Sequence, residues 1–256
     1  MKAVNFSYNG EWDFKEEHLN ATLIMCFGHK DLINKTNIKI IQDKFPNASI
    51  VSASTSGEII GTEVYDNTIT GTAISFDNTE INIHCENTEN HKDSFELGKA
   101  LSSSFEKKDL KHVFVLSDGH LINGSRLLEG LTDVLPHIII SGGLAGDGSN
   151  FESTLVGIDR NIKQGNVVAI GYYGDHIQIG HASLGGWDEF GPERYITKSK
   201  ENVLLELDDE PALDLYKKFL GDKASELPSS ALLFPLSLRE NEDSTDSVVR
   251  TVLSID

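Results

Sequence analysis

Three apolar runs of the sequence each end in small polar or acidic residues that could hold a ligand. Hydroxyl groups and glycine amides can bind a carboxylate, while Glu58, Asp118 or Asp147 could receive an ammonium group through a charge-assisted hydrogen bond. This mixture suits a small zwitterion. The candidate ligand-binding residues of the three tails are Ser54, Thr55, Ser56, Gly57 and Glu58; Ser117, Asp118 and Gly119; and Ser141, Gly142, Gly143, Leu144, Ala145, Gly146, Asp147 and Gly148.

Tight turns are the alternative explanation of these tails, because Ser and Gly favour turns wherever they occur. In open α/β sheets, however, ligands bind at the carboxyl ends of parallel strands, and three similar tails make a shared pocket as plausible as three turns. Trp187 joins the candidates because Gly185-Gly186 and Gly191-Pro192 flank it. It could close an apolar wall over a ligand or pack two domains together, and packing is the usual role of an isolated tryptophan.

The stretch Ser141 to Gly148 predicts a glycine-rich loop that follows a buried strand, and it superficially resembles a phosphate-binding loop. Its order is Gly-x-x-x-Gly-x-Gly rather than Gly-x-Gly-x-x-Gly, and the sequence contains no Gly-Lys-Ser or Gly-Lys-Thr. A strand pattern follows it where a nucleotide-binding loop needs a helix, and Asp147 would repel phosphate. The stretch therefore does not predict a nucleotide site.

A hydrolase would use Ser56 or Ser117 as nucleophile, with a histidine such as His120 as base. The sequence has neither a Gly-x-Ser-x-Gly elbow nor a His-Glu-x-x-His helix. Cys26 and His29 have the spacing of two metal ligands, but no second pair completes a zinc site. We read Cys26 and Cys85 as core thiols, and we expect no catalytic residue, no metal and no cofactor.

Charge and hydropathy restrict the partners and the location of the protein. The net charge is −18 and no basic patch opposes it, so nucleic acid and anionic membrane surfaces are not expected partners. No apolar stretch approaches the roughly 20 residues that cross a bilayer. The first 20 residues are acidic where a secretory signal is basic and apolar, so we expect a cytoplasmic protein.

The first two thirds of the chain predict an α/β fold with mixed, layered sheets and flanking helices. An apolar run at 22–27, a helix at 31–45 and a strand at 48–51 form a β-α-β unit. The runs 68–76 and 80–85 predict an antiparallel hairpin. Helices are expected after Asp93 and after Asn123, with strands at 113–116, 137–140, 154–158, 166–170 and 177–179.

The chain changes character near residue 195, where part of a second α+β domain begins. Pro211 opens a helix that ends at Gly221, and 230–236 and 247–255 are strand-like. We therefore divide the chain into an α/β domain at 1–195 and an incomplete second domain at 196–256.

Four motifs in this order resemble the successive signatures of the FIST sensory domain family, over about Leu23 to the end of the chain. They are Ser54-Thr55-Ser56-Gly57-Glu58, Ser141 to Gly148, Gly186-Trp187 with Gly191-Pro192, and Pro211-Ala212-Leu213-Asp214-Leu215-Tyr216.

The resemblance implies a bacterial, cytoplasmic module that senses a small molecule such as an amino acid. It also implies an output partner, which would be a histidine kinase, a cyclase or a chemotaxis receptor. The chain departs from the family at Ser52-Ala53, where Gly-Cys is frequent, and at Gly185, where His is frequent. A small-molecule hydrolase and a purely partner-docking domain remain the alternatives to a sensor.

Overall fold

A computed structural model of the chain describes residues 1–14, 20–182, 186–244 and 247–255. These residues form two compact units, Met1–His181 and Ala182–Asp256. The predicted domain boundary near residue 195 stays a prediction.

The first unit contains thirteen strands and three α-helices among the residues described. They are β1 (Lys2–Tyr8), β2 (Trp12–Asp13), β3 (Leu23–Gly28), α1 (Lys35–Lys44), β4 (Ser49–Ser54), β5 (Glu58–Ile60), β6 (Glu63–Tyr65), β7 (Ile69–Ser75), β8 (Glu80–Asn87), α2 (Ser94–Ser103), β9 (Leu110–Ser117), α3 (Gly124–Val134), β10 (Ile139–Leu144), β11 (Val156–Ile158), β12 (Asn161–Lys163) and β13 (Asn166–Tyr173).

Two mixed sheets organise this unit. The larger has the order β12-β11-β4-β3-β7-β1-β2 and the smaller has the order β10-β9-β13-β8, while β5 and β6 form a separate hairpin. The pairs β3/β4 and β9/β10 are parallel, whereas the other pairs of these sheets are antiparallel. The predicted mixed α/β fold is confirmed.

The two sheets pack face to face between layers of helices. Along β3, Leu23 belongs to the apolar cluster between the sheets, and Ile24 to the cluster that includes Ile38 and Ile41 of α1. This alternation buries both faces of the strand, as its continuous apolar run predicts. On the smaller sheet, α2 and α3 cover the face opposite the larger sheet. The layers therefore run helix, sheet, sheet, helices.

Local capping signals determine where the helices of this unit begin. The Asn34 side chain accepts hydrogen bonds from two amides at the start of α1, Asp93 accepts the Glu96 amide, and Asn123 accepts the Arg126 amide. The predicted β-α-β unit and the predicted helices after Asp93 and Asn123 are confirmed.

The predicted hairpin of 68–76 with 80–85 is wrong. Strand β7 pairs with β1 and β3 in the larger sheet, while β8 pairs with β13 in the smaller one. The short link between them crosses from one layer to the other, and Phe76 packs in the cluster between the sheets. The segment 177–179, also predicted as a strand, has no strand structure.

The second unit contains five strands and one α-helix in its described part. They are β14 (Ile196–Lys200), β15 (Val203–Leu207), β16 (Glu210–Pro211), α4 (Ala212–Leu220), β17 (Leu236–Leu238) and β18 (Val248–Arg250). Helix α4 begins after Pro211 and ends at Gly221, as predicted. The segment predicted as a strand at 230–236 is mostly a 3-10 helix, Ser229–Leu233, and the last predicted strand is reduced to β18.

Candidate ligand-binding site

Four loops meet at one edge of the first unit, where the parallel strands of both sheets end. The loop after β10 connects the sheets directly, because the Ala145 amide donates to the carbonyl of Ser117 over 2.8 Å and the Gly146 amide donates to the carbonyl of Ser54 over 2.9 Å. We call this region the four-loop edge. It comprises residues 29–34 after β3, 55–57 after β4, 118–123 after β9 and 145–155 after β10.

The structure brings together most of the candidate residues, but not all of them. The tails of β4 and β9 and the segment Ala145 to Gly148 lie at the four-loop edge or at the strand ends beside it, and Glu58 begins β5 next to it. Ser141, Gly142, Gly143 and Leu144 belong to β10 itself, and Trp187 lies in the second unit with its side chain half exposed. Gly185 lies outside the described residues.

The description of Ser141 to Gly148 as one loop after a buried strand is therefore wrong. Strand β10 extends to Leu144 at the exposed edge of the smaller sheet. A side chain at Gly142 would overlap the backbone of Val115 on β9. Ser141 Oγ lies 2.9 Å from His112 Nε2, within hydrogen-bonding distance. The glycine at 142 thus permits close strand pairing, which a sequence pattern does not distinguish from a loop.

Two glycines of the candidate set are required by close approach of the loops. A Cβ atom at Gly119 would overlap the carbonyl oxygen of Ala145, and one at Gly146 would overlap Ser56 Oγ. Neither glycine has the positive φ that would by itself explain its presence. Their role is to let the four loops pack against one another.

Two of the three candidate carboxylates are saturated by hydrogen bonds within the protein. Glu58 is buried and accepts from Thr55 Oγ1 and from both the amide and the hydroxyl of Thr68. Asp118 is also buried, and it accepts from the amides of His120, Leu121 and Gly165. Both side chains hold the loops in place.

The third carboxylate, Asp147, is buried but only half saturated. Its Oδ2 accepts from the amides of Glu152 and Ser153 at 2.8 and 2.9 Å. Its Oδ1 faces His120 Nε2 across 3.6 Å, which is longer than a hydrogen bond. Burial alone would raise the pKa of this carboxyl, but the two amides and His120 outweigh burial and lower the pKa below its ordinary value. Asp147 is therefore an anion with one oxygen available.

Lys30 approaches the same carboxylate from the larger sheet. Its Nζ lies 3.9 Å from Asp147 Oδ2, 3.7 Å from Glu152 Oε2 and 3.2 Å from Ser153 Oγ. The side chain is only 18% exposed, so these interactions are screened less than those of a surface lysine. Sequence reasoning missed Lys30, although it follows the end of β3 by two residues and β3 is parallel to β4.

The arrangement presents charges of both signs within a few ångströms. Lys30 follows a strand of the larger sheet and His120 follows a strand of the smaller one, and Asp147 lies between them. The hydroxyl of the exposed residue Ser56 is also nearby, where it accepts a hydrogen bond from the Gly148 amide. Such a set can bind a zwitterion. Within the described residues, no group of three or more His, Cys, Asp or Glu side chains is placed to hold a metal ion.

Two surface depressions lie at the opposite end of the sheets. One of about 260 Å³ is lined by Phe76 and Ile177 among others, and one of about 360 Å³ by Asn82 and Tyr173 among others. Neither includes a residue of the four-loop edge. The candidate site is defined by its converging side chains rather than by one of these depressions.

Comparison with known proteins identifies the family. The model of the FIST N domain matches residues 22–210, which is more than half of the chain. No curated protein matches the sequence. In the part of the chain that the structure describes, no helix is long and apolar enough to cross a membrane. The match includes all four loops of the four-loop edge, and the chain belongs to the FIST family, whose domain is a sensory domain of signal transduction proteins.

Proposed function

We propose that this protein is the non-catalytic, ligand-sensing part of a signalling protein and that it binds a small polar metabolite, such as an amino acid, at the four-loop edge. Binding would shift the population of loop conformers, and an output partner would distinguish these conformers. That partner is proposed to be a histidine kinase, a cyclase or a chemotaxis receptor.

The observation that carries this proposal is the half-saturated carboxylate of Asp147. Its Oδ1 has no hydrogen bond among the described residues and faces His120 across 3.6 Å. An ammonium group placed there would form a charge-assisted hydrogen bond. Lys30 Nζ and the His120 ring are the groups available for the carboxylate of the same ligand. Since Glu58 and Asp118 are saturated, Asp147 is the acidic residue of the three tails that we assign to the ligand.

The surroundings of the two candidate nucleophiles support a binding role rather than catalysis. Ser117 is buried, and its hydroxyl donates to the carbonyl of Asp118 at 3.3 Å. Ser56 Oγ accepts the Gly148 amide. Among the residues described, neither hydroxyl has a histidine within hydrogen-bonding distance, and a serine nucleophile needs such a base.

A thermal-shift screen of the purified chain against the twenty amino acids and related small acids and amines tests the proposal. A ligand that binds only the native state must raise the melting temperature, by an amount equivalent to about 2.7 kcal/mol at a hundred times its Kd. We expect at least one zwitterion to stabilise the protein. The proposal fails if no compound does so at saturating concentration.

Two substitutions test whether the zwitterion binds at the four-loop edge. Lys30→Met and His120→Gln should each weaken the binding of the zwitterion by about ten- to a hundredfold, because each removes one charge-assisted hydrogen bond. Lys39→Met is the matched control, since Lys39 pairs with Asp43 on the exposed face of α1. Equal affinity in all three variants would place the ligand elsewhere. A stable complex with a signalling protein, without any ligand effect, would instead support the partner-docking alternative.

A further inference from the structure

The four-loop edge and the start of β5 beside it bury more negative charge than their basic side chains neutralise. Glu58, Asp118 and Asp147 are only 2%, 1% and 4% exposed, and carboxylates are seldom buried so completely unless a cation pairs with them. Within the residues that make up the four-loop edge, Lys30 is the one lysine or arginine. Three buried carboxylates therefore share a single basic side chain.

The hydrogen bonds of Glu58 and Asp118 satisfy these side chains without removing their charge. Both oxygens of Asp118 accept from backbone amides, and both oxygens of Glu58 accept from Thr55 or Thr68. An ionised carboxylate accepts at both oxygens, whereas a protonated one donates from its hydroxyl. Because the donors are neutral amides and hydroxyls, the two negative charges act on whatever binds at the four-loop edge.

Lys30 leaves much of this negative charge uncompensated. Its Nζ lies 3.9 Å from Asp147 Oδ2 and 3.7 Å from Glu152 Oε2, beyond hydrogen-bonding distance of either carboxylate. Its hydrogen bond goes to the neutral hydroxyl of Ser153. The exposed carboxylates of Asp31 and Glu152 add to the negative charge of the same loops.

Neighbouring basic side chains do not reverse this balance. Lys35 is exposed at the first position of α1, and Arg126 of α3 pairs with Glu129 on the same helix. Protonation of His29 and His120 would add two positive charges, and the carboxylates would still be in excess. The site therefore has a surplus of negative charge that a cation would offset.

We propose, resting on the function given above, that the ligand of the four-loop edge is a basic amino acid with an ammonium or guanidinium group in its side chain. Its α-ammonium group would bind Asp147 Oδ1, and its α-carboxylate would bind Lys30 or His120. The side-chain cation would offset the surplus negative charge, with the carboxylate of Glu152, which is 75% exposed, as its partner at the rim of the site. A neutral amino acid leaves that surplus in place, and an acidic one increases it.

Isothermal titration calorimetry with matched pairs of amino acids tests this charge requirement. Citrulline has a neutral ureido group in place of the guanidinium group of arginine, with nearly the same shape, and norleucine is lysine without its terminal ammonium group. We expect the charged member of each pair to bind at least tenfold more tightly at low salt, and glutamate not to bind. The advantage should shrink as added salt screens the charges.

Two substitutions test whether this preference arises at the four-loop edge. Glu152→Gln should reduce the preference for arginine over citrulline by about two- to fivefold, the effect of one exposed ion pair. Asp175→Asn is the matched control, because it removes an exposed carboxylate that pairs with Lys111 over 2.7 Å at the opposite end of the sheets. The control should keep the preference of the wild type.

Equal affinity for both members of each pair would overturn the proposed charge requirement, although binding of the neutral amino acids would still support the sensor. Absence of binding by every amino acid would contradict the proposed function itself. A preference that Asp175→Asn reduces as much as Glu152→Gln does would reflect the general acidity of the protein, and it would also overturn the assignment of a basic amino acid to this site.

Discussion

The amide of Gly148 donates a hydrogen bond to Ser56 Oγ across 3.0 Å, although 92 positions separate the two residues in the sequence. Ser56 follows β4 of the larger sheet, and Gly148 belongs to the loop that leaves β10 of the smaller one. The bond therefore joins the two central layers of the unit. A ligand at the four-loop edge would contact loops from both layers, so its binding would be coupled to how those loops pack.

Gly146→Ala should destabilise the protein by about 1–3 kcal/mol, the usual effect of overpacking. The new methyl group would overlap Ser56 Oγ, and the backbone nitrogen of Ser56 also lies close to it. Denaturant unfolding measures the change. Gly143→Ala is the control, because no atom lies within 4 Å of its added methyl group, and it should be nearly neutral.

The double variant Gly146→Ala with Ser56→Ala separates steric overlap from other effects. Since Ser56→Ala removes the overlapping oxygen, the penalty of Gly146→Ala should be smaller in that background, and a double-mutant cycle gives the interaction energy. An unchanged penalty would show that the hydroxyl is not the atom in the way.

Asp118→Ala should cost roughly 3 kcal/mol of stability or more, because it leaves the amides of His120, Leu121 and Gly165 without their acceptor. Asp118→Asn should lie between this variant and the wild type, since one oxygen remains. Asp175→Ala, at an exposed carboxylate paired with Lys111, should have little effect. Unfolding curves of the three variants that coincide would contradict a structural role for Asp118.

The helices could be predicted from sequence because their signals are local. Asn34, Asp93 and Asn123 accept amide hydrogen bonds within three residues of themselves, and the apolar stripe of each helix repeats over a few turns. The β-α-β unit is equally local, because one helix of ten residues connects its parallel strands.

The pairing of β7 could not be predicted, because its two partners, β1 and β3, are distant in the sequence. Seven residues of β1 pair with it, from Lys2 opposite Ser75 to Tyr8 opposite Ile69. A local pattern of two alternating runs separated by Asp77-Asn78-Thr79 is the same whether the chain turns back within a sheet or crosses to another layer. In the structure the chain crosses, and Phe76 at the crossing packs, partly buried, against the cluster between the sheets.

The candidate site was predictable as a place but not as a set of roles. Polar strand ends indicate where parallel strands stop, and the tails of β4, β9 and β10 do converge. The sequence cannot show that internal amides and hydroxyls saturate Glu58 and Asp118 while Asp147 Oδ1 is left available. Lys30 was missed because a single lysine after a strand is common, and only the fold brings its Nζ to Asp147.

Asp147 should make the stability of the protein depend on pH in the acid range. Its pKa in the folded protein is lowered, whereas an aspartate in an unfolded chain has a pKa of about 3.9. The ionised carboxylate therefore contributes its full stabilisation above about pH 5, and this contribution is lost as the pH falls through 3.9 toward the lower folded value.

Urea unfolding of the wild type and of Asp147→Asn at several pH values checks this dependence. The wild type should be the more stable protein at pH 7, and the difference should shrink as the pH approaches 3. Asp43→Asn, at an exposed ion pair on α1, serves as the control. A stability difference that stays constant from pH 7 to pH 3 would be inconsistent with a lowered pKa at Asp147.

The two thiols should resist modification in the native protein, each to a different degree. Burial raises the pKa of Cys26 to about 12, and burial with the neighbouring Glu86 charge raises the pKa of Cys85 to about 11. Because the thiolate is the reactive form, at pH 8 only about one in a thousand Cys85 side chains is ready to react, and fewer still at Cys26. Cys26 is also fully buried, whereas Cys85 is partly exposed.

Iodoacetamide labelling followed by peptide mass spectrometry should therefore modify Cys85 slowly and Cys26 only after denaturation. The variant Cys85→Ser should leave no labelled thiol in the native state. Rapid labelling of Cys26 in the folded protein would mean that β3 opens to solvent, and with it the strand that positions Lys30.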